Sequence, residues 1–278
     1  MITEDQFFQA VSGALQRDRL TLPSMPEIAM RVDEIARRPD VSATLLATQV
    51  ARDPAIAVRV VRAANSAYYG RFRVENLQQA IVLIGLQLTR QLVGAFAMQQ
   101  MFRSRSLILQ GRLRRSWQRS IEIASISKAL VSHCTTLSKD TAMMAGLVHD
   151  VGVLPIIWQA ESMGEMAPAP DSLDRVLERL APKVGNLVLR TWGLPYTLSQ
   201  IPLDCLDFTR RHAGPADYVD VVTVAILQSH TEGVLPWPHI DRQAVPAFEK
   251  LGLPDGTGIS RLAGFQADFE DCRTLLAA

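Results

Sequence analysis

Cysteine is scarce in this sequence of 278 residues, and its spacing excludes two kinds of site. The three cysteines, Cys134, Cys205 and Cys272, lie far apart, and none belongs to a C-x-x-C pair. A disulfide framework or a structural zinc site requires more closely spaced thiols. We therefore expect three reduced thiols and no cofactor.

Long hydrophobic runs are also missing, and so is the basic-then-apolar pattern of a secretory signal. The sequence opens with the acidic, polar run Met-Ile-Thr-Glu-Asp-Gln, and its most apolar stretch, Ala80 to Met98, is interrupted by Gln87, Arg90 and Gln91. A membrane-spanning helix needs about 20 predominantly apolar residues. We therefore predict a cytoplasmic protein without a membrane span, and the net charge of +1 indicates no partner by itself.

Strand-like alternation is absent as well, whereas apolar residues recur at the three- and four-residue spacing of helices. Turn signals such as Arg38-Pro39-Asp40 interrupt this pattern often enough to predict about a dozen helices. With 48% apolar residues, the chain can bury the cores of two small domains. We predict an all-α fold of two packed lobes over residues 1–105 and 106–235, with a C-terminal helical extension over residues 236–278 packed on them.

The adjacent residues His149 and Asp150 carry the clearest chemical signal. They lie in the run Gly-Leu-Val-His-Asp-Val-Gly from Gly146 to Gly152, and metal-dependent phosphohydrolases of the HD type hold a cation with such a pair. One imidazole and one carboxylate leave a divalent ion mostly hydrated and weakly bound. A metal site therefore depends on further nitrogen and oxygen ligands from other helices.

Several motifs along the chain together resemble the HDOD family. They are Leu22-Pro23-x-x-Pro26, Asp53-Pro54, Asn65-Ser66 followed by Tyr69-Gly70, Ala80-Ile81 with Gly85, Trp117-x-x-Ser120, the Gly146 to Gly152 run, and Trp192-Gly193-Leu194-Pro195. Each motif is weak alone, but their order and spacing are specific. The resemblance implies a bacterial signalling protein in which an N-terminal helical lobe packs on a degenerate HD-like lobe. It does not by itself imply catalysis.

Compared with active HD enzymes, this sequence lacks metal ligands. The first histidine of those enzymes would fall near Arg119, and a guanidinium cannot ligate a cation. Many relatives carry two histidines where this chain has Leu203 to Asp207, and the final aspartate would fall at Ala225-Ile226. His133 would lie roughly 21 Å from Arg119 along one helix. Asp220 comes six residues early and is expected to face elsewhere.

We therefore predict neither a catalytic residue nor a bound metal. In this interpretation His149 and Asp150 are a helix end inherited from the HD fold. Asp150 would accept hydrogen bonds from backbone donors, and Gly152 would let the chain turn. A nonhydrolytic role of the pair in binding a ligand stays open.

Acidic residues are absent between Asn76 and Ile121, whereas arginines are frequent there. The seven arginines of this stretch are Arg90, Arg103, Arg105, Arg112, Arg114, Arg115 and Arg119. Exposed guanidiniums bind phosphates, carboxylates or acidic protein surfaces through bidentate hydrogen bonds. We predict partner or anion binding by the six arginines from Arg103 to Arg119. Pairing of these arginines with the acidic C-terminal half is the alternative.

Structural roles are preferred for the other family-motif residues. Asn65 and Ser66 can cap backbone groups at a helix end, and Gly70 can adopt positive φ, although the three could also bind an anion. Trp117 and Trp192 are predicted to be core anchors. No helix-turn-helix, RRM or zinc-finger pattern accompanies the arginines, which argues against nucleic acid as a partner.

From these features we predict a noncatalytic signalling adaptor of the HDOD type that binds other signalling proteins, with control by a nucleotide second messenger left open. One alternative is a metal-dependent HD-type phosphohydrolase or phosphodiesterase that uses His149 and Asp150. A second alternative is a receptor that binds a cyclic dinucleotide or another anion without hydrolysis.

Overall fold

A computed structural model describes residues 2–66, 73–229, 240–253 and 262–278. Within these ranges the regular elements are all helical and no strand is present, which confirms the predicted all-α fold. The α-helices in chain order are α1 (Glu4–Gln16), α2 (Glu27–Ala36), α3 (Ala43–Val50), α4 (Pro54–Ala64), α5 (Leu77–Ile84), α6 (Leu86–Gln99), α7 (Leu107–Cys134), α8 (Lys139–Val148), α9 (Val153–Ser162), α10 (Pro170–Thr191), α11 (Tyr196–Ser199), α12 (Ile201–Asp204), α13 (Tyr218–Gln228), α14 (Pro246–Lys250) and α15 (Phe265–Ala277).

The described residues form two compact units, and their division differs from the three consecutive segments that the sequence predicts. The first unit takes its residues from Met1–Ser24 and Phe102–Arg261, and the second from Met25–Met101 and Leu262–Ala278. The first terminal helix, α1, therefore belongs with α7 to α14. The last helix, α15, belongs with α2 to α6.

Helix α1 joins the first unit through side-chain contacts with α10. The Arg179 guanidinium lies 3.8 Å from the centre of the Phe8 ring, and Arg175 forms an ion pair with Glu4. The residues of that ion pair are 171 positions apart in the sequence. No local pattern in the sequence indicates such a contact. The sequence-based prediction therefore grouped α1 with the helices that follow it directly, in the lobe of residues 1–105.

Helix α15 packs against α4 and α6 in the second unit. Arg59 of α4 donates a hydrogen bond of 3.4 Å to the Leu276 carbonyl oxygen, and its guanidinium lies 3.7 Å from the centre of the Phe96 ring. Leu275 and Leu276 are buried. The predicted C-terminal extension therefore contributes to the core of the second unit.

Gly85 produces a sharp bend between α5 and α6. Its φ of 85° lies in a region that glycine adopts readily and other residues avoid. The two helices meet at an angle of 114°. The family-motif residue Gly85 thus marks a change of direction inside the second unit.

One stretch of described residues, Lys139–Ser162, is long and apolar enough to be considered as a membrane span, and α5 with α6 would qualify only as a bent pair. The stretch contains α8, α9 and the turn between them. Its most apolar window is 78% buried against other parts of the protein. Such burial is typical of a core helix.

Candidate functional site

Helix α7 supplies one wall of a cavity in the first unit. The helix has 28 residues and begins at the N-cap residue Ser106, whose side chain accepts a hydrogen bond from the Leu109 amide. Arg112, Arg115 and Arg119 follow at three- and four-residue spacing, which places them on one helix face over about 10 Å. All three side chains line the cavity.

The His-Asp pair lies at the turn between α8 and α9, and two glycines let neighbouring helices approach this turn closely. A Cβ on Gly146 would lie 2.5 Å from the Ala124 Cα of α7. A Cβ on Gly152 would lie 2.0 Å from the Ala181 carbonyl oxygen of α10. The φ of Gly152 is −65°, a value open to any residue, so close packing rather than the predicted conformational freedom requires this glycine.

The buried His149 ring is held as a neutral hydrogen-bond acceptor. His149 Nδ1 lies 2.7 Å from the Gly146 carbonyl oxygen. Because a carbonyl oxygen only accepts, Nδ1 carries the hydrogen and Nε2 keeps its lone pair. Burial, together with the positive charge of Arg119, lowers the pKa of His149 to about 3. The ring is therefore uncharged at neutral pH.

Asp150 accepts a hydrogen bond from a side chain of α7, which corrects the prediction that backbone amides bind it. Ser116 Oγ donates to Asp150 Oδ2 over 2.9 Å, and no backbone amide of the described residues donates to this carboxylate. Burial raises the pKa of Asp150 to about 6, although Arg119 and the Ser116 hydrogen bond act in the opposite direction. The carboxylate is therefore mostly ionised at neutral pH.

Arg119 lies in the same cavity, beside the His-Asp pair. The residue is only 4% exposed, and a guanidinium keeps its positive charge in a protein. Burial lowers the pKa of Arg119, while the negative charges of Asp150 and Glu122 raise it. The cavity therefore contains a cation that belongs to the protein, close to the carboxylate of the pair.

The cavity has a volume of about 180 Å³ and combines a polar, buried end with apolar walls. The buried end also contains Cys205, which comes from the segment where the family resemblance predicts histidines. Burial, and to a lesser degree Asp150, raises the pKa of the Cys205 thiol, so that the thiol stays protonated. Apolar walls are contributed by Val153, Ile157, Leu177, Ala181, Pro202 and Leu206.

The structure divides the predicted basic cluster into two groups. Three of the six arginines, Arg112, Arg115 and Arg119, line the cavity, and Arg112 forms an ion pair with Asp174 of α10. The other three are exposed and do not line it: Arg103, Arg105 and Arg114. The arginines that were predicted to form one anion- or partner-binding surface therefore lie in two different environments, the cavity and the exposed surface outside it.

The exposed arginines lie near two exposed apolar side chains at the start of α7. Leu107 is 90% exposed and Ile108 is 68% exposed. We term Arg103, Arg105, Leu107, Ile108 and Arg114 the N-terminal surface of α7. This surface combines positive charge with apolar area.

Glu161 of α9 holds the segment that precedes α7. Its Oε1 accepts hydrogen bonds from the Ser104 hydroxyl at 2.7 Å, the Arg105 amide at 2.6 Å and the Ser106 amide at 3.2 Å. Burial raises the pKa of Glu161, but these hydrogen bonds and the Arg105 charge outweigh it, so the pKa is lowered overall. One carboxylate oxygen thus positions the loop that carries the N-terminal surface of α7.

Family-motif residues in the second unit shape helix ends. Asp53 is the N-cap residue of α4 and accepts a hydrogen bond from the Ile56 amide, with Pro54 at the first turn. The Asn65 side chain donates to the Val74 carbonyl oxygen and accepts from the Val74 amide, each over 2.9 Å. Asn65 therefore connects the end of α4 to the residues before α5.

Ser66 belongs to the same helix end, since its amide donates to the Ala63 carbonyl oxygen over 3.1 Å. Gly70 lies outside the described residues, so its predicted positive φ stays a prediction. Trp117 is a core residue, 3% exposed. Trp192 is half-buried, and its Nε1 donates to the Pro23 carbonyl oxygen over 2.7 Å, which connects two of the family motifs.

A second polar cluster has no counterpart in the sequence-based predictions. Ligand atoms of His212, Asp217 and Asp220 lie within 4.8 Å of one another, as in some metal sites. Arg210 already pairs with both carboxylates, at 2.6 Å from Asp217 and 3.3 Å from Asp220. The two aspartates also form the capping box of α13, and their three-residue spacing before an apolar run is the signal that could have indicated it. Charge pairing and capping account for this cluster without a metal.

The helices around the His-Asp pair define an HD-like domain in which a buried guanidinium accompanies the pair. The HDOD domain family model matches residues 22–203, and the chain belongs to this family. None of the curated proteins matches the sequence.

Three solved structures share the fold. A Shewanella amazonensis SB2B protein, whose name proposes a metal-dependent phosphohydrolase, is 28% identical with a TM-score of 0.83, over 98% of this chain and 99% of that one. An HDOD domain protein of unknown function from Geobacter sulfurreducens is 19% identical with a TM-score of 0.69, over 98% of this chain and 96% of that one. A Marinobacter aquaeolei VT8 protein, whose name proposes signal transduction, is 20% identical with a TM-score of 0.65, over 99% of this chain and 66% of that one.

Proposed function

We propose that this HDOD protein is a noncatalytic signalling adaptor that acts by binding other proteins in the cytoplasm. The observation that carries the proposal is the buried guanidinium of Arg119 beside His149 and Asp150. A guanidinium offers five donors and no lone pair to a cation. Its positive charge also opposes the entry of a divalent ion. A metal-dependent reaction would therefore lack a ligand and meet an unfavourable field.

Few other groups in the cavity suit a metal. His149 Nε2 and Asp150 are two ligands, and two ligands bind a divalent ion weakly. Cys205, Asp174 and Glu178 also line the cavity, but among the described residues none of them gathers with the pair into a group of ligand atoms the size of a metal site. These points support the adaptor over a phosphohydrolase, which the name of the Shewanella relative suggests and which stays the alternative.

The N-terminal surface of α7 is our proposed contact with the partner. Arg103, Arg105 and Arg114 provide positive charge, and Leu107 and Ile108 provide exposed apolar area. Interfaces commonly combine an apolar centre with a charged rim. We therefore propose a partner segment that presents acidic and apolar side chains together.

Metal analysis tests the noncatalytic part of the proposal. Protein purified without chelator or metal-affinity tag would be measured by inductively coupled plasma mass spectrometry, together with the His149→Ala variant and a phosphodiesterase assay. We expect substoichiometric metal and background turnover in both proteins. Near-stoichiometric Mn, Fe, Zn or Ni that disappears in the variant, together with turnover, would establish the phosphohydrolase instead.

Charge reversal tests the contact surface. The triple variant Arg103→Glu, Arg105→Glu, Arg114→Glu is expected to lose captured partners in cross-linking from cell extract, with an unchanged melting temperature. The matched control is Arg17→Glu, Arg19→Glu, which reverses exposed charges elsewhere in the same unit and should keep capture intact. Equal capture by all three proteins would refute this surface.

A further inference from the structure

We propose that the cavity beside the His-Asp pair binds a small organic anion, with one phosphate or carboxylate group attached to one apolar ring or short chain. The inference rests on the proposed noncatalytic function and names the class of ligand that the site would take. It follows from the charges, the neutral acceptor, the volume and the walls of the cavity.

The guanidiniums along α7 provide the anion-binding part. Arg115 and Arg119 both line the cavity and are four residues apart, so they are neighbours on one helix face. No ion pair joins Arg115 to a carboxylate among the described residues, whereas Arg112 already pairs with Asp174. Two neighbouring guanidiniums can hold one phosphate or carboxylate through several charge-assisted hydrogen bonds.

The carboxylates of the cavity do not cancel this preference. Asp150 is bound by Ser116 and lies in the field of Arg119. Glu178 also lines the cavity but is exposed, so water and salt screen its charge. The buried Arg119 acts through a medium of lower dielectric constant, where its attraction for an anion is stronger.

His149 provides a hydrogen-bond acceptor that favours a ligand with a protonated oxygen. Its Nδ1 hydrogen is taken by the Gly146 carbonyl oxygen, which leaves Nε2 as an acceptor in the neutral ring. A hydroxyl of the ligand, or a protonated phosphate oxygen, can donate to this nitrogen. The buried end of the cavity therefore offers donors from arginine and one acceptor from histidine.

The volume limits the size of the ligand. The cavity encloses about 180 Å³. Pockets for drug-sized ligands measure roughly 300–1,000 Å³, and a cavity of about 150 Å³ accommodates benzene. The apolar walls, with Val153, Ile157, Leu177 and Leu206, therefore suit one ring. A whole cyclic dinucleotide would not be enclosed.

Ligand-observed NMR titration with phenyl phosphate, benzoate and inorganic phosphate tests the inference on the full chain. We expect saturable binding of phenyl phosphate or benzoate, and at least tenfold weaker binding of inorganic phosphate, which has no ring for the apolar walls. Tighter binding of phenyl phosphate than of benzoate would assign the anionic group as phosphate, and the reverse order would assign it as carboxylate.

Three variants assign the binding to the cavity. Arg115→Gln changes an exposed residue and should weaken binding at least tenfold without loss of folding, and Arg119→Lys should also weaken it because the bidentate geometry is lost. Arg17→Gln, at an exposed arginine of the same unit outside the cavity, should leave binding unchanged. Absence of saturable binding by every compound, or equal binding by wild type and Arg115→Gln, would overturn the inference.

Phosphate release from phenyl phosphate, measured in the same samples, separates this inference from the proposed function. Release that disappears in His149→Ala would refute the noncatalytic adaptor, whatever the binding data show. Absence of both binding and release would overturn the anion site and leave the adaptor intact.

Discussion

Ser116 donates a hydrogen bond of 2.9 Å to Asp150, and this bond connects α7 to the His-Asp pair. Arg119 follows Ser116 by about one turn on the same helix. One helix face therefore supplies both a hydrogen bond and a positive charge to the buried carboxylate. These two groups favour the ionised form of Asp150, although burial outweighs them and raises its pKa to about 6.

Replacement of Arg119 by histidine should increase metal retention. Arg119→His removes the positive charge and adds a lone pair where the family resemblance places a metal-binding histidine. We expect several-fold more Mn, Fe or Zn per chain than in wild type, measured by inductively coupled plasma mass spectrometry. Arg119→Lys keeps the charge and should stay as metal-poor as wild type. Equal metal content in Arg119→His and wild type would show that the Arg119 guanidinium does not prevent metal binding in this cavity.

His149 and Asp150 should affect the pH dependence of stability in opposite directions. The pKa of His149 is about 3 in the folded protein, below its ordinary value of 6.5, so protonation of the unfolded chain removes stability as the pH falls from 6.5 to 3. The pKa of Asp150 is about 6, above its ordinary value of 3.8, so protonation of the folded chain adds stability as the pH falls from 6 to 3.8. In wild type we expect the two effects to offset each other in large part between these limits.

Single variants separate the two effects. His149→Gln keeps the Asp150 effect, so its free energy of unfolding should rise relative to that of wild type as the pH is lowered from about 6.5 to about 4. Asp150→Asn keeps the His149 effect, and its free energy of unfolding should fall over the same range. Urea denaturation at several pH values measures both. Slopes of the same sign in the two variants would show that the assigned pKa directions are wrong.

Substitution of Gly146 should destabilise the first unit. A Cβ there would lie 2.5 Å from the Ala124 Cα, and backbone cannot move aside as a flexible side chain can. We expect Gly146→Ala to lower the free energy of unfolding by about 1–3 kcal/mol, as overpacking of a core does. The control is Gly111→Ala in α7, where the nearest atom is an Arg115 nitrogen at 3.8 Å. It should raise stability by about 0.5–1 kcal/mol, because alanine favours a helix over glycine. A higher free energy of unfolding for Gly146→Ala than for wild type would contradict the close approach of Gly146 to the backbone of α7.

Removal of the Glu161 carboxylate should loosen the segment before α7. Glu161→Ala removes the acceptor of the Arg105 amide, and it removes one of two acceptors of the Ser104 hydroxyl and of the Ser106 amide. We expect a loss of about 1–3 kcal/mol in the free energy of unfolding and faster amide exchange at Arg105 and Ser106. Glu165→Ala, at an exposed glutamate nearby, serves as the control and should change neither quantity. Unchanged exchange in Glu161→Ala would mean that the carboxylate does not position this loop.

Much of the fold could be predicted because the signals are local. Apolar residues three and four apart indicate helices wherever they occur, and Asp53-Pro54 and Gly85 mark helix ends by their own conformational preferences. The assignment of α1 and α15 to units could not be predicted in the same way. It depends on contacts such as Arg175 with Glu4 and Arg59 with Leu276, which join residues 171 and 217 positions apart.

The candidate site was only partly predictable for the same reason. The sequence shows an arginine at position 119, where the family resemblance predicts a histidine, and it shows the cluster of arginines in α7. The partner of Asp150 is not visible, because Ser116 lies 34 residues earlier on another helix. The reason for Gly152 is not visible either, since its close neighbour Ala181 belongs to α10.

The sequence by itself determined that this chain is helical and that an arginine, which cannot ligate a cation, stands at position 119, because helix formation and residue identity are properties of neighbouring positions. Only the tertiary structure decided that Arg115 and Arg119 line a cavity while Arg114 faces outward. The side of a helix that is buried depends on the helices that pack against it. Those helices come from distant parts of the chain, and their burial of His149, together with the nearby charge of Arg119, lowers the pKa of His149.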